Sequence, residues 1–183
     1  MKSFFCAILA SVLFSTALQA GNLNVNPASS EILVDSKASP PHTVTSFVRK
    51  YESDIQIDPD TLAVSSARFA FQLKDLDSEH EKRDKKMNSW IESDKFPEIV
   101  FEMSNVSMVD GHNVATGSLY MHGVSKSVNV PFTVSKSGDT VTIDGSADFS
   151  YEDWGLEIIR LFIFKVKPEL NVRFHLEGTL QES

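Results

Sequence analysis

The chain has 183 residues, 42% of them apolar, a length that fits one domain with a sizeable core. Its 25 acidic and 17 basic side chains give a formal net charge of −8, and no cluster of Lys and Arg suggests a basic patch, which argues against nucleic acid as a partner. The single cysteine, Cys6, lies in the apolar N-terminal segment, so the remaining chain offers no disulfide, thiolate nucleophile or cysteine metal ligand.

The N-terminus has the three parts of a secretory signal peptide. Lys2 supplies the positive charge, and residues 4–17 form an apolar core that is too short for a comfortable membrane span. Residues 18–20, Leu-Gln-Ala, offer a cleavage site. We therefore predict that residues 1–20 are a signal peptide and that residues 21–183 form one exported, periplasmic domain. An uncleaved signal anchor is the alternative.

The mature chain begins with short elements. Residues 21–29 are polar and aperiodic and are predicted to be a loose lead-in, whereas residues 31–35 are predicted to be a first strand. Pro40 and Pro41 then break the chain. Residues 42–51 alternate between two side-chain faces and are predicted to form a second strand.

Residues 61–73 are predicted to form a long strand, followed by a charged helical segment. One face of the strand carries small residues before large ones, as a tapered barrel interior requires. That face consists of Ala63, Ser65, Ala67, Phe69, Phe71 and Leu73. Residues 75–93 are rich in Glu, Lys and Asp without strand alternation, which indicates a helix or helical loop. Its side chains expected to contact the barrel are Leu76, Met87, Trp90 and Ile91.

Residues 96–134 are predicted to be three consecutive antiparallel strands. Asp110 and Gly111 lie in the first connection and Gly123 in the second, because these residue types accept the positive φ of tight turns. Apolar side chains recur with a period of two, as expected when one face of a strand is buried. The apolar rows are Ile99, Phe101 and Met103, then Val128, Val130, Phe132 and Val134.

Residues 140–151 and 170–180 alternate in the same way, which brings the count to about eight strands. A closed barrel of this size is just wide enough to be filled by its own side chains or to hold one ligand. Closure also removes exposed sheet edges. We therefore predict an all-β fold, an antiparallel β-barrel with one short charged helical segment. An open β-sandwich is the alternative.

The interior of such a barrel is either a packed core or a cavity. Small residues on inward rows would leave volume that the other side chains do not fill. They are Ala63, Ser65, Ala67, Ala115, Gly117, Gly145 and Ala147. Four phenylalanines could fill the same space, so the pattern alone leaves both interiors open. They are Phe69, Phe71, Phe101 and Phe149.

Residues with catalytic or metal-binding chemistry are scattered along the chain. The five histidines have no metal-ligand spacing, and no nucleophile elbow, phosphate loop or dinucleotide fingerprint occurs. We therefore expect neither a metal, nor a cofactor, nor an enzymatic activity.

Four motifs follow one another after residue 80: RDKKM at residues 83–87, FPEIVF at 96–101, GSLYMHGVSKSV at 117–128 and FSYEDWGL at 149–156. This series resembles the YceI-like family of exported, lipocalin-like proteins that bind polyisoprenoid chains. The resemblance covers most of the chain after residue 60. Lys86 stands where the family often has histidine, and Tyr151 where it often has arginine.

The resemblance implies a lipocalin-like barrel with a cavity, which sequesters or carries an amphiphile with a long apolar tail, a polyisoprenoid such as a quinone or a polyprenyl phosphate. The side chains expected to line the tail site are Ala67, Phe69, Phe71, Ile99, Phe101, Met103, Leu119, Val130, Phe132, Phe149, Trp154 and Phe174. Arg83 and Lys86 are the candidates for the headgroup. The alternatives are a structural or stress-related interaction protein with a packed barrel, and an enzyme that acts on a lipid.

Residues 156–166 are almost wholly apolar and follow neither period. They are expected to be a buried connection into the last strand, with a flap over the barrel mouth or a membrane-contacting surface as the functional alternative. The partners compatible with this sequence are a hydrophobic small molecule, a membrane touched transiently during transfer, and a second copy of the chain.

Overall fold

The computed structural model describes residues 20–161 and 164–181, so residues 1–19 of the predicted signal peptide lie outside the described residues. The strands are β1 (Gly21–Val25), β2 (Glu31–Ser39), β3 (His42–Val48), β4 (Glu52–Ile57), β5 (Val64–Gln72), β6 (Leu76–Asp77), β7 (Glu98–Val109), β8 (His112–Met121), β9 (Val124–Ser137), β10 (Thr140–Ser150), β11 (Arg160–Leu161) and β12 (Phe164–Gln181). One α-helix, α1 (Glu81–Trp90), and two 3₁₀ helices, Leu73–Asp75 and Tyr151–Trp154, complete these elements.

Eight of the strands form a closed antiparallel barrel. Their order around the ring is β1, β4, β5, β7, β8, β9, β10 and β12, and β12 pairs again with β1. The long strand β12 pairs with β10 along one edge, while its other edge pairs first with β2 and then with β1. The prediction of an all-β, lipocalin-like barrel of about eight strands is confirmed, and the sandwich alternative is wrong.

The predicted loose lead-in is wrong, because its first five residues form β1 and close the barrel. Leu23 pairs with Leu180 of β12, and Gly21 pairs with Ile57 of β4. The Leu23 side chain is 1% exposed. Leu23 and Val25 do alternate with Asn22 and Asn24, but the alternating run is only five residues long and is followed by the polar, proline-containing residues 26–29. Residues 21–25 fold as a strand because both of their neighbours would otherwise present open edges.

Strand β5 begins at Val64, three residues later than predicted, and a bulge changes which side chains face inward. The register between β4 and β5 shifts between Gln56 and Ile57. A bulge inserts an extra residue and breaks the alternation of faces. Ala63 and Ser65, predicted to face inward, are therefore exposed. Val64 occupies the inward position instead.

The charged segment forms a helix as predicted, with narrower bounds. Leu76 and Ile91 are buried in the core, and Met87 and Trp90 pack against it. The first predicted strand extends to Ser39, four residues beyond its expected end. Among the described residues, no helix combines the length and the apolar character that crossing a membrane requires.

Two clusters of buried side chains surround the interior of the barrel. Near the β9–β10 turn, Leu23, Ile57 and Val141 are at most 1% exposed and form a packed floor. At the other end, Tyr151 and Trp154 belong to a second cluster that also contains Leu73, Ile91, Met121, Val128 and Leu156. The space between the clusters is the interior of the barrel.

The role of β1 in closure predicts the effect of Leu23→Ala. Truncation of a fully buried leucine removes transfer free energy and leaves a cavity, so we expect the free energy of unfolding to fall by about 2–5 kcal/mol. Urea denaturation measures this change. The exposed Val124 is the control, since Val124→Ala should change stability by at most about 0.5 kcal/mol. Equal, small effects from both substitutions would show that β1 does not close the barrel.

Candidate ligand-binding cavity

The barrel encloses a cavity of about 1150 Å³ above the packed floor. This volume exceeds the range of about 300–1,000 Å³ that is usual for small-molecule sites. The inward rows of most strands line it, with Val34 and Val44 on β2 and β3 opposite Met103 on β7. The cavity is therefore the interior of the barrel itself and not a surface cleft.

The residues predicted for the tail site converge on this cavity, with one exception. Those that line it are Ala67, Phe69, Phe71, Ile99, Phe101, Met103, Leu119, Val130, Phe132, Phe149 and Phe174. Trp154 is not part of the lining. Its indole N–H donates a hydrogen bond to the carbonyl oxygen of Leu119 at 3.2 Å, and its ring packs edge-on against Phe149. Trp154 thus contacts two residues of the cavity wall, Leu119 and Phe149, without lining the cavity itself.

The glycines of the inward rows do not leave empty space. A Cβ at Gly117 would lie 2.6 Å from Cε2 of Phe101, and one at Gly145 would overlap the ring of Phe174. Glycine at these positions lets the two rings lie flat against the barrel wall. The expectation that Gly117 and Gly145 add volume is therefore wrong, whereas Ala67, Ala115 and Ala147 line the cavity as expected.

The part of the cavity where described lining residues are exposed is called the mouth. These residues come from the β2–β3 hairpin, from α1 with the residue before it, and from the connection between β10 and β11. They are His42, His80, Lys82, Lys86, Ser89, Glu157 and Arg160. Arg83, which is half-buried, also lines the mouth. Both headgroup candidates, Arg83 and Lys86, are thus at the mouth.

Sequence reasoning did not identify Lys82 and Arg160 as residues of the mouth, nor the group of cations that they form there with Arg83 and Lys86. The run Lys82-Arg83-Asp84-Lys85-Lys86 contained the signal for Lys82, but such a run is usually a solvated helix face. Nothing local identifies Arg160, because it reaches the mouth through the pairing of β11 with β12. Residues 162–163 of the apolar segment lie outside the described residues.

A network of ion pairs and hydrogen bonds attaches the start of α1 to the barrel. Arg49 at the end of β3 bonds the carboxylates of Asp77 and Glu79, each at 2.9 Å. Ser78 donates its hydroxyl to Asp84 of the helix, and Arg83 Nε donates to the same Ser78 oxygen at 2.8 Å. The helix is therefore positioned through side chains that line or adjoin the mouth.

The carboxylate of Asp77 is stabilised within this network. The backbone N–H of Glu79 donates to it at 2.8 Å, and this bond, followed by the Arg49 guanidinium, lowers the pKa of Asp77 below its ordinary value of 3.8. A carboxylate that accepts such bonds favours its charged form.

The other side of the mouth is held against α1. The Trp90 indole donates to the carbonyl oxygen of Glu157 at 3.0 Å, and the Trp90 ring stands edge-on to Tyr151 with centroids 5.1 Å apart. The Tyr151 hydroxyl in turn donates to the carbonyl oxygen of Val166 at 3.2 Å. These contacts fix residues 157–160, which border the mouth.

A closed antiparallel barrel around a large apolar cavity with one polar mouth defines a small-ligand-binding barrel of the lipocalin-like class. The sequence agrees, since the model of the YceI-like domain matches residues 23–178. The chain belongs to this family. Within residues 20–161 and 164–181, no group of three His, Cys, Asp or Glu side chains is arranged to hold a metal ion.

One protein of related sequence and two solved structures are similar to this chain. The UPF0312 protein VPA0850 of Vibrio parahaemolyticus is 27% identical over 137 residues, which cover 70% of this chain and 71% of that protein. BcnA of Burkholderia cenocepacia has a TM-score of 0.76 at 23% identity, covering 85% of this chain and all of that one. A polyisoprenoid binding domain from Saccharophagus degradans has a TM-score of 0.65 at 12% identity, covering 89% and 99%. These structures establish the shared fold.

The network at the start of α1 predicts the titration of Asp77. We expect its carboxyl group to titrate below 3.8 in the folded protein, as measured by NMR of the carboxyl carbon. Because the folded-state pKa is lowered, the stability it contributes is complete above the unfolded-state pKa and is lost as the pH falls through the folded-state pKa.

Arg49→Gln is the matched variant, because it removes one of the two main causes of the shift and leaves the Glu79 N–H in place. The pKa of Asp77 should rise in this variant and remain below 3.8. An Asp77 pKa at its ordinary value in the unaltered protein would contradict the network.

Proposed function

We propose that the protein binds an amphiphile with a long apolar tail, a polyisoprenoid such as a quinone or a polyprenyl phosphate, and sequesters or carries it. The observation that carries the proposal is the cavity of about 1150 Å³ with a mainly apolar lining and a polar mouth. The tail lies in the barrel interior, with its end toward the floor, and the headgroup stays at the mouth near Arg83 and Lys86.

The size of the cavity supports a long tail. At about 30 Å³ for each group the size of a water molecule, a volume of about 1150 Å³ holds on the order of 40 such groups. Each methylene removed from water contributes about 0.8 kcal/mol. A prenyl chain can thus be bound by burial alone, and the lining side chains need not offer it hydrogen bonds.

A structural relative supports the choice of ligand class. The neighbour from Saccharophagus degradans is a polyisoprenoid binding domain, and its fold covers most of this chain. The large cavity favours binding over the alternative of a packed barrel. We also propose that the protein is not an enzyme, because the described lining combines an apolar wall with cations at the mouth, where Glu157 is the one carboxylate.

Cellular location belongs to the same proposal. The charge and hydropathy of residues 1–20 support a signal peptide, with residues 21–183 acting in the periplasm. There the ligand would come from a membrane and return to one. The connection that borders the mouth, residues 157–160, presents Ile158 and Ile159 between two charged side chains and is the surface proposed to touch the bilayer during transfer.

The amount of lipid extracted from the purified protein tests the proposal. The same measurement tests the predicted effect of Phe101→Asp. Protein prepared without detergent and loaded with prenyl lipids should yield one prenyl lipid per chain in an organic extract, measured by mass spectrometry. Phe101→Asp should lose most of this lipid, because a carboxylate in the apolar lining removes favourable burial and must itself be desolvated. Ala67→Phe, which fills part of the cavity without adding charge, should also reduce the yield.

Glu102→Gln is the control, since Glu102 is exposed on the outer face of the same strand, where it pairs with Arg68 at 3.5 Å. It should bind lipid as the unaltered protein does, and circular dichroism should show that all variants are folded. A lipid-free extract from the loaded protein, or equal losses from Phe101→Asp and Glu102→Gln, would refute binding inside the barrel.

A further inference from the structure

We infer that the headgroup at the mouth is an anionic phosphate and not an uncharged ring, and that Lys82, Arg83, Lys86 and Arg160 bind it. This inference rests on the proposed function and specifies the class of ligand. It selects the prenyl phosphates from among the amphiphiles whose tails would fit the cavity.

The charge of the mouth is opposite to that of the chain. The whole chain carries 25 acidic and 17 basic side chains. The cavity lining, by contrast, contains four cations and one carboxylate, that of Glu157. Two histidines, His42 and His80, also line the mouth. A local excess of cations on an acidic protein raises the concentration of anions at that point only.

The carboxylates of Glu79, Glu81 and Asp84, in α1 and just before it, are engaged by partners other than the four cations. Glu81 pairs with Lys85 at 2.6 Å, and Glu79 pairs with Arg49. Asp84 accepts hydrogen bonds from Ser78. Helix α1 therefore contains acids, yet they do not neutralise its cations that line the cavity.

Among the residues that the structure describes, none of the four cations has a carboxylate counterion. No carboxylate of residues 20–161 and 164–181 lies within 4 Å of a nitrogen of Lys82, Arg83, Lys86 or Arg160. Lys82 and Lys86 are one helical turn apart on the same face, an arrangement in which like charges destabilise a helix. An anion placed between them would relieve this repulsion.

The fourth cation is already oriented. Arg83 donates from Nε to the Ser78 hydroxyl oxygen at 2.8 Å and from Nη2 to the Ser78 carbonyl oxygen at 3.2 Å. Ser78 itself is 6% exposed and lines the cavity. The guanidinium is thus held beside the cavity, where binding an anion requires little further ordering.

The position of these cations favours a bound headgroup over a patch that only touches a membrane. All four line the cavity into which the tail would pass, so an anion among them lies at the end of that tail. A phosphate monoester carries a charge of about −1.5 to −2 near neutral pH and offers three acceptor oxygens. A quinone ring has no charge with which to offset the four cations.

Paired ligands with one tail test the inference. Geranylgeranyl phosphate and geranylgeraniol differ only in the phosphate, and their dissociation constants are measured by displacement of a fluorescent prenyl probe. The phosphate should bind about tenfold more tightly, as expected for several exposed ion pairs acting together. Raising the salt concentration from 50 to 500 mM shortens the Debye length about threefold. This change should weaken the binding of geranylgeranyl phosphate and leave the binding of geranylgeraniol unchanged.

The triple variant Lys82→Gln/Lys86→Gln/Arg160→Gln should bind geranylgeranyl phosphate about tenfold more weakly than the unaltered protein. Its affinity for geranylgeraniol should be unchanged. Lys85→Gln is the control on the same helix, because Lys85 does not line the cavity and pairs with Glu81. This control should retain the affinity of the unaltered protein for both ligands.

Each other outcome overturns a defined part of the account. If both ligands bind equally to the unaltered protein and to the triple variant, the anionic headgroup is wrong while the proposed function stands. If neither ligand binds, both fail. If inorganic phosphate displaces the probe as well as geranylgeranyl phosphate does, the site binds the free anion and not an amphiphile. If phosphatidylglycerol vesicles bind through these cations without any preference for the prenyl phosphate, the cations form a membrane surface.

Discussion

The structure depends on the two-sided pairing of its last strand. Strand β12 pairs with β10 on one edge, and with β2 and then β1 on the other, so the first and last segments of the chain close one ring. Without this closure the inward rows of apolar side chains would face water on an open sheet. Closure gives these rows a shared interior and leaves no exposed edge around the ring. The cavity is therefore a consequence of topology as much as of side-chain choice.

The two ends of the barrel differ, and this difference gives the cavity a direction. The floor contains only tightly packed apolar side chains such as Leu23 and Val141, whereas the mouth contains a charged helix attached through Arg49 and Ser78. An amphiphile is apolar at one end and polar at the other, and the cavity is apolar at its floor and polar at its mouth. Binding of the tail and selection of the headgroup are thus assigned to separate parts of the molecule, and each can be altered without the other.

The sequence predicted the inward rows because a period of two is a local property. Phe101, Phe132 and Phe174 were identified in this way, and all three line the cavity. Features that depend on distant pairing were harder to predict. Strand β1 has only five alternating residues and is fixed by its pairing with β4 and β12, and a bulge in β5 exchanges Ser65 for Val64 on the inward face. The position of Arg160 also depends on distant pairing, since the fold brings it to the mouth beside a helix that lies about 70 residues earlier in the chain.

Photo-crosslinking of a prenyl ligand that carries a diazirine at the far end of its tail tests the central claim most directly. If the tail occupies the barrel and points toward the floor, the crosslinks should map by peptide mass spectrometry to Ile55, Ile143 and Leu176, which are buried and line the cavity. Crosslinks confined to exposed apolar side chains such as Met108 and Val109 would contradict it, because the ligand would then lie on the outside of the barrel.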